Sequence, residues 1–219
     1  MTKFTTIALS CCLSVGLCYA QTTHTARTSA SKAGCTNVVA DLSIDVHGDS
    51  PLQQVSLPPK GKCSVSASSG GFLLPDPNCT PGAVNPSLTL DVLKSPEFTT
   101  KCVRDQATTA QQKGTTYHWY KIAKPANNTG QNQYCELDHL ISLEIGGADT
   151  LDNIWPQCGP SRVALEERFF KRKDAVENYL AKQVRDGNMN LADAQKGIAT
   201  DWTQYLDTAE KACPNGKCK

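Results

Sequence analysis

The chain carries almost no net charge, and this limits how it could bind a charged partner. Its 219 residues include 22 lysines and arginines against 21 aspartates and glutamates, a formal net charge of +1 at pH 7. Without a broad positive field, nucleic acid can be bound only through a local basic patch. The content of 39% hydrophobic and 20% charged residues is ordinary for a globular protein and excludes a fibre or a fully disordered chain.

Long apolar runs are absent except near the start of the chain. Residues 1–20 combine Lys3, an apolar run from Ile7 to Leu17, and the small residue Ala20. This layout is typical of a secretory signal peptide cleaved after Ala20, whereas a lipid anchor on one of its cysteines fits less well. No second run of about 20 apolar residues follows. We therefore expect a secreted or periplasmic protein that does not span a membrane.

The chain after residue 20 also lacks a C-x-x-C pair, which is the spacing that zinc ribbons use. Three of the eleven cysteines lie within the first twenty residues, so an even number, eight, remains. An even count in an exported chain favours disulfides over the alternative of a zinc site. We expect all eight cysteines to be oxidised.

The next segment, residues 21–74, is expected to hold a flexible leader and a small N-terminal β annex pinned by Cys35 and Cys63. Alternating apolar and polar residues over 37–46 predict a strand, and shorter candidates lie at 53–57 and 63–67.

Helices are expected mainly in the last third of the chain. Apolar residues at helical spacing predict one helix over 161–185 and a second over 191–209, with Asn190 as its N-cap. A short helix is also expected near 103–113. Together with the strands, these helices indicate an α+β domain over residues 75–219.

The segment CELDHLISLEIGGADTLDNIWPQC, residues 135–158, contains the most informative pattern. It predicts a strand over 136–139, a loop that turns on two glycines, and a strand over 153–157 before the long helix. Antiparallel pairing would bring Cys135 and Cys158 together, and closing a loop of this size contributes roughly 3 kcal/mol. We predict this disulfide and a local one between Cys213 and Cys218.

Three polar residues lie where these two strands meet the loop. Asp138 and His139 end the first strand and Asn153 begins the second, so antiparallel strands would let their side chains converge. Phosphodiester hydrolysis needs a base for water and a Lewis acid for the developing charge. A neutral imidazole suits the first task, and carboxylate and amide oxygens suit Mg²⁺. Asn153 as a simple cap of the turn is the alternative.

The stretch DHLISLEIGGADTLDNIWPQ resembles the HNH, or ββα-metal, nuclease motif D-H-I-x-P-x-x-x-G-G-x-x-x-x-x-N-L-x-P-L. The fourteen-residue step from His139 to Asn153 is the step of that family. Similarity to secreted bacterial proteins with this domain extends to PDPNCTPGAVNP and to the tail segments KDAVENYL and LADAQKGIATDW. The resemblance implies a ββα-metal core with His139 as general base. It also implies that Asp138 and Asn153 hold one divalent metal ion, Mg²⁺ or else Mn²⁺.

The sequence departs from the family at two positions. Ser142 replaces the usual proline, and Arg162 stands where many members have a third metal ligand, a histidine. No histidine follows His139, which excludes the three-ligand histidine site. The pattern fits members that bind Mg²⁺ through Asp and Asn alone, and it leaves open a domain that has lost activity.

Basic residues at the start of the long helix are candidates for binding substrate phosphates, although such a run is usually a solvated face. Arg172 lies in register with the apolar stripe, so it either extends outward to solvent or reaches the scissile phosphate. The candidates are Arg162, Arg168, Lys171 and Arg172. Near the motif, Glu136 and Glu144 are spare ligands or solvated carboxylates, and His118 is a packed or surface residue rather than a catalytic one.

These patterns favour an exported endonuclease that hydrolyses DNA, or RNA, with little sequence preference, because no base-reading module is evident. One alternative is a secreted, disulfide-rich binding or structural domain that keeps the ββα fold without catalysis. A toxin aimed at competitors is a third hypothesis, but the short chain contains no evident delivery region.

Overall fold

The computed structural model describes residues 35–46, 61–104 and 110–218 of the chain. The expected signal peptide over 1–20, the expected flexible leader over 21–34 and the predicted strand at 53–57 lie outside these residues. Within the described ranges the fold is α+β, with two small antiparallel sheets among helices. None of the described helices is long and apolar enough to cross a membrane.

The two sheets are each two-stranded, and the helices gather towards the C-terminus. The strands are β1 (Ser66–Ala67), β2 (Leu73–Leu74), β3 (Cys135–His139) and β4 (Ile154–Cys158). The helices are α1 (Thr36–Asp41), α2 (Leu90–Lys94), α3 (Ala110–Trp119), α4 (Phe169–Arg185), α5 (Leu191–Asp201) and α6 (Leu206–Ala212).

The β3–β4 hairpin confirms the antiparallel pairing predicted for residues 135–158. Cys135 pairs with Cys158 at the open end, and His139 pairs with Ile154 next to the loop. The loop therefore joins the strands at the end that carries Asp138 and His139. Helix α4 follows β4 after an irregular segment.

The main core lies between α4 and the C-terminal helices. Val176, Leu180 and Val184 of α4 pack against Ile198 and Trp202, and all five side chains are buried. Burying each of these side chains contributes roughly 1.5–3 kcal/mol. This packing confirms the apolar stripe predicted for the long helix and holds α4 beside the hairpin.

Both C-terminal helices differ from their predicted bounds. Helix α4 begins at Phe169 rather than at 161, because Arg162 has a left-handed φ of 64° and Arg168 is extended. The second predicted helix breaks at Asp201, whose backbone is extended and whose carboxylate accepts from Thr203 N, so α5 and α6 are separate. Asn190 caps α5 as predicted, accepting from Ala192 N.

The predicted strand over 37–46 is wrong, since this segment contains α1. Val39 of α1 and the residues Leu42 and Val46 that follow it pack against a buried cluster that includes Leu88 and Leu143. Packing against distant segments thus outweighs the local alternation of apolar residues. Of the predicted strand at 63–67, only Ser66–Ala67 forms.

The helix expected near 103–113 is found further along as α3, and residues 105–109 lie outside the described ranges. Its C-terminal part buries Tyr117 and Trp119 and leaves His118 exposed. Trp119 belongs to a buried cluster that includes Tyr120 and Trp155 of β4.

Four disulfides join the eight cysteines that follow residue 20. Those from Cys135 to Cys158 and from Cys213 to Cys218 confirm the two predicted pairs. The other two join Cys35 to Cys102 and Cys63 to Cys79. The Cys135–Cys158 disulfide closes the open end of the hairpin.

Candidate active site

Asp138 and His139 lie on opposite faces of the hairpin. Consecutive residues of a strand point to opposite sides of a sheet. The Asp138 carboxylate faces Lys173 of α4, whereas the His139 imidazole faces Asp149 and Lys113 of α3. The expected convergence of Asp138, His139 and Asn153 on one point is therefore not found.

The His139 side chain is held by a carboxylate from the loop. Its Nε2 lies 2.7 Å from Oδ1 of Asp149, and Lys113 Nζ lies 2.5 Å from the same oxygen. The side chain of Asp149 is fully buried, and that of His139 is 11% exposed. Asp149 Oδ2 is buried and has no hydrogen-bond partner among the described residues. These contacts form a Lys113–Asp149–His139 chain at the end of β3.

The electrostatics of this chain favour a neutral imidazole beside an ionised carboxylate. Burial is the largest influence on His139 and lowers its pKa below the usual 6.5, against the opposing effect of Asp149. The charge of exposed Arg104 lowers the pKa of His139 further. Burial alone would raise the pKa of Asp149, but the hydrogen bonds and charges of His139 and Lys113 outweigh it and lower that pKa. His139 is thus unprotonated at neutral pH, as a general base must be.

Asp138 is paired with a buried lysine. Lys173 Nζ lies 2.9 Å from Asp138 Oδ2, donates to the backbone oxygen of His139 at 2.7 Å, and also contacts Glu177. The Lys173 side chain is fully buried, and these carboxylates raise its pKa against the effect of burial. The ammonium therefore supplies the cation that neutralises Asp138.

Asn153 braces the loop between the strands. Its amide nitrogen donates to the backbone oxygens of Ile141 and Ala148, each at 2.8 Å, and its Oδ1 accepts from Ile141 N at 2.9 Å. The residue is fully buried. The role of turn brace, given above as the alternative, describes this geometry better than that of metal ligand.

The two glycines of the motif are required by the same loop. Gly146 has a φ of 82°, in the left-handed region that glycine adopts without strain. A Cβ at Gly147 would lie 1.9 Å from the backbone oxygen of Ile141, so no side chain fits there. The G-G and N elements of the motif thus build the loop that carries Asp149.

The expected two-ligand Mg²⁺ site does not fit this arrangement. Asp138 faces away from His139 and is neutralised by Lys173, and the Asn153 amide is committed to the backbone. Within the ranges described, no group of three or more histidines, cysteines, aspartates or glutamates is placed to hold a metal ion.

The basic residues of the α4 region are mostly engaged within the protein. Arg168 donates to the backbone oxygens of Gln131 and Gln133, and Lys171 pairs with Asp174 at 2.7 Å. Arg172 lies over the ring of Phe72 and pairs with Glu210 at 2.6 Å, so it neither reaches the site nor extends freely to solvent. Arg162 is exposed.

The two spare carboxylates near the motif are both partly buried. Burial, followed by the charges of Asp138 and Asp174, raises the pKa of Glu136 to about 7. Burial also raises the pKa of Glu144. Glu136 lies on the Asp138 face of β3, away from His139.

The sequence patterns did not point to the three charged residues around Asp138 and His139, which are Lys113, Asp149 and Lys173. Asp149 lies within the motif, two residues after Gly147, and Lys173 lies in helical register with Val176 and Leu180. The position of Asp149 in the motif and the helical register of Lys173 are both visible in the sequence. Lys113 is 36 residues before Asp149, and no local pattern connects them.

Comparison with known proteins adds no relative to this picture. A scan against protein-family models, a search of curated proteins and a search of solved structures each found no match.

Proposed function

We propose that this chain is an exported endonuclease of the HNH, or ββα-metal, type, which hydrolyses phosphodiester bonds of nucleic acid, with DNA as its substrate. The observation that carries the proposal is the His139–Asp149 contact of 2.7 Å at the end of a hairpin strand. A buried carboxylate that orients a neutral imidazole is a recurring arrangement for proton abstraction. The D-H, G-G and N-I-x-P elements of the sequence supply the link to phosphodiester chemistry.

In the proposed reaction the His139 imidazole accepts a proton from water. The water oxygen then attacks phosphorus and forms a new P–O bond. The bond from phosphorus to the leaving oxygen breaks, and that oxygen takes a proton from solvent. The products are an alcohol and a phosphate monoester, so no oxidant or further reactant is needed.

The substrate is proposed to approach on the α3 side of the hairpin, where His139 lies. Arg104 is exposed and close enough for its charge to lower the pKa of His139. The same charge would attract a phosphate group. Arg168, Lys171 and Arg172 lie around α4 and make contacts there.

The expected divalent metal ion, Mg²⁺ or Mn²⁺, is added in the assay, and no residue is assigned here to bind it. In catalysis of this class such an ion supplies a Lewis acid for the developing phosphate charge. In their present positions Asp138 and Asn153 do not fit the role of metal ligands, because Asp138 pairs with Lys173 and Asn153 binds the backbone. The proton transfer proposed above is carried out by His139.

Purified protein incubated with supercoiled plasmid tests the proposal directly. We expect nicked and linear products, with a product ladder that shows little sequence preference. Parallel reactions with Mg²⁺, with Mn²⁺ and with a chelator measure the metal requirement. Absence of cleavage of DNA and of RNA under all these conditions would refute the proposal.

A second candidate is a secreted domain of this fold that binds without catalysis. It is favoured by the pairing of Asp138 with Lys173 and by the commitment of Asn153 to the backbone. Salt-dependent binding of DNA without turnover by any metal would support this candidate over the first.

A further inference from the structure

Asp149 contacts the imidazole of His139 through a single nitrogen. The Nε2–Oδ1 distance is 2.7 Å, which is the length of a charge-assisted hydrogen bond. An ionised carboxylate can only accept a hydrogen bond, so the proton of this bond belongs to Nε2. In a neutral imidazole the other nitrogen, Nδ1, then carries the lone pair.

Lys113 makes this assignment robust. Its ammonium donates to Oδ1 of Asp149 at 2.5 Å, and the Asp149 side chain is fully buried. An ammonium at this distance stabilises the carboxylate over the carboxylic acid. Asp149 therefore stays ionised and cannot donate a proton to His139.

From this geometry we propose that Asp149, supported by Lys113, is a positioning residue that holds His139 as the Nε2–H tautomer and makes Nδ1 the proton-accepting nitrogen. The reactive role of Nδ1 rests on the proposed function, whereas the tautomer does not. The contact with Asp149 engages Nε2 and not Nδ1, and the His139 side chain is 11% exposed.

Loop position explains why Asp149 can perform this role. It follows the Gly146-Gly147 turn, and Asn153 fixes the neighbouring backbone through Ala148. The carboxylate is thus held by the loop while the imidazole is held by the strand. Positioning from two separate elements leaves little freedom for ring rotation.

Nitrogen NMR on protein labelled with ¹⁵N-histidine measures the tautomer without any assay of activity. The His139 signals are assigned by their loss in His139→Gln. At about pH 7 we expect an N–H type Nε2 and an unprotonated Nδ1 in the wild type. A wild-type spectrum with the Nδ1–H tautomer or a charged imidazolium would overturn the proposal.

Asp149→Asn combined with Lys113→Met tests the cause of the preference. Lys113 and His139 contact the same oxygen of Asp149, so the ammonium must be removed before the amide nitrogen can turn to Nε2 and donate to it, which selects the opposite tautomer. We expect the Nδ1–H form in this double variant, and the wild-type pattern in the control Asp152→Asn, which changes a carboxylate of the same loop that contacts Thr150. An unchanged tautomer in the folded double variant would contradict the proposal.

Kinetics separate this inference from the proposed function. If the wild type cleaves DNA, the Lys113→Met/Asp149→Asn variant should lower kcat by a factor of ~10² to 10⁴ with little change in KM, because the base nitrogen is then protonated. If kcat of this folded double variant equals that of the wild type, the positioning role is refuted. If the wild type never cleaves, the nuclease proposal fails, but the NMR result still decides the role of Asp149.

Discussion

Lys173 and Asp138 form a buried ion pair, with Nζ 2.9 Å from Oδ2 and the lysine side chain fully buried. The pair joins the first third of α4 to the end of β3, because Lys173 also donates to the backbone oxygen of His139. A residue that the motif suggests as a metal ligand is thus part of the packing between helix and hairpin.

Lys173→Met should destabilise the protein by about 3–5 kcal/mol, since it leaves the buried Asp138 carboxylate without its cation. The double variant Lys173→Met/Asp138→Asn should lose less stability than the two single variants lose together, because both changes remove the same interaction. Urea unfolding of the four proteins in this cycle measures the coupling. Strictly additive losses would show that the ion pair contributes nothing.

Asn153→Ala should lower the free energy of unfolding by roughly 2–4 kcal/mol, because it removes three buried hydrogen bonds. The control is Asn190→Ala, which removes the single N-cap bond to Ala192 and should cost about 1 kcal/mol. Chemical unfolding measures the loss of stability of both variants. Repeating it with Mg²⁺ shows whether the ion binds the folded protein. If stability were unchanged but Mg²⁺ affinity fell, the brace role would be wrong and the ligand role restored.

The hairpin could be predicted from sequence because its signals are local. The apolar pattern on either side of Gly146 and Gly147 determines two strands, and antiparallel pairing then places Cys135 opposite Cys158. The same local pattern places Asn153 at the start of the second strand, but it does not identify the contacts of its side chain. Its partners are backbone atoms of Ile141 and Ala148, which a residue pattern does not identify.

The electrostatic partners could not be predicted in the same way. Lys113 meets Asp149 only after α3 packs against the hairpin, so the contact depends on tertiary structure. For Arg172, helical register predicts a position on the apolar stripe of α4. Contacts with Phe72 and Glu210, which come from distant segments, determine where its guanidinium lies. Long polar side chains are the least predictable, because they have several low-energy conformations and the packed partner selects one.

Stability should depend on pH through Glu136. Burial, together with the charges of Asp138 and Asp174, raises the pKa of this residue from 4.5 to about 7. Between these values the folded state keeps a proton that the unfolded state has released, so the free energy of unfolding falls as pH rises. Glu136→Gln should therefore gain stability over the wild type at about pH 8 and not at about pH 4.5.

Denaturant unfolding at both pH values tests this, with exposed Glu97→Gln as the matched control. The difference between Glu136→Gln and the wild type should grow with pH, and that of Glu97→Gln should stay constant. A pH-independent difference for Glu136→Gln would contradict a raised pKa.

Arg104→Ala should weaken DNA binding more than Arg172→Ala, although both remove one positive charge. Arg104 is exposed and its charge reaches His139, whereas Arg172 lies over the ring of Phe72 and does not reach the site. With three or four phosphates neutralised, the log-log salt slope of wild-type binding should be about −3, and Arg104→Ala should reduce its magnitude by about 1. Fluorescence anisotropy on duplex DNA provides these slopes. A larger effect of Arg172→Ala would place the substrate along α4 instead.

The central claim, that His139 is the general base, is tested most directly by the plasmid cleavage rate of His139→Ala measured beside its melting temperature. We predict a rate lower by a factor of ~10² to 10⁴ in a protein that melts near the wild-type temperature, because Lys113 still neutralises Asp149. His118→Ala, which changes an exposed histidine, should cleave at the wild-type rate. Full cleavage by a folded His139→Ala protein would contradict the mechanism.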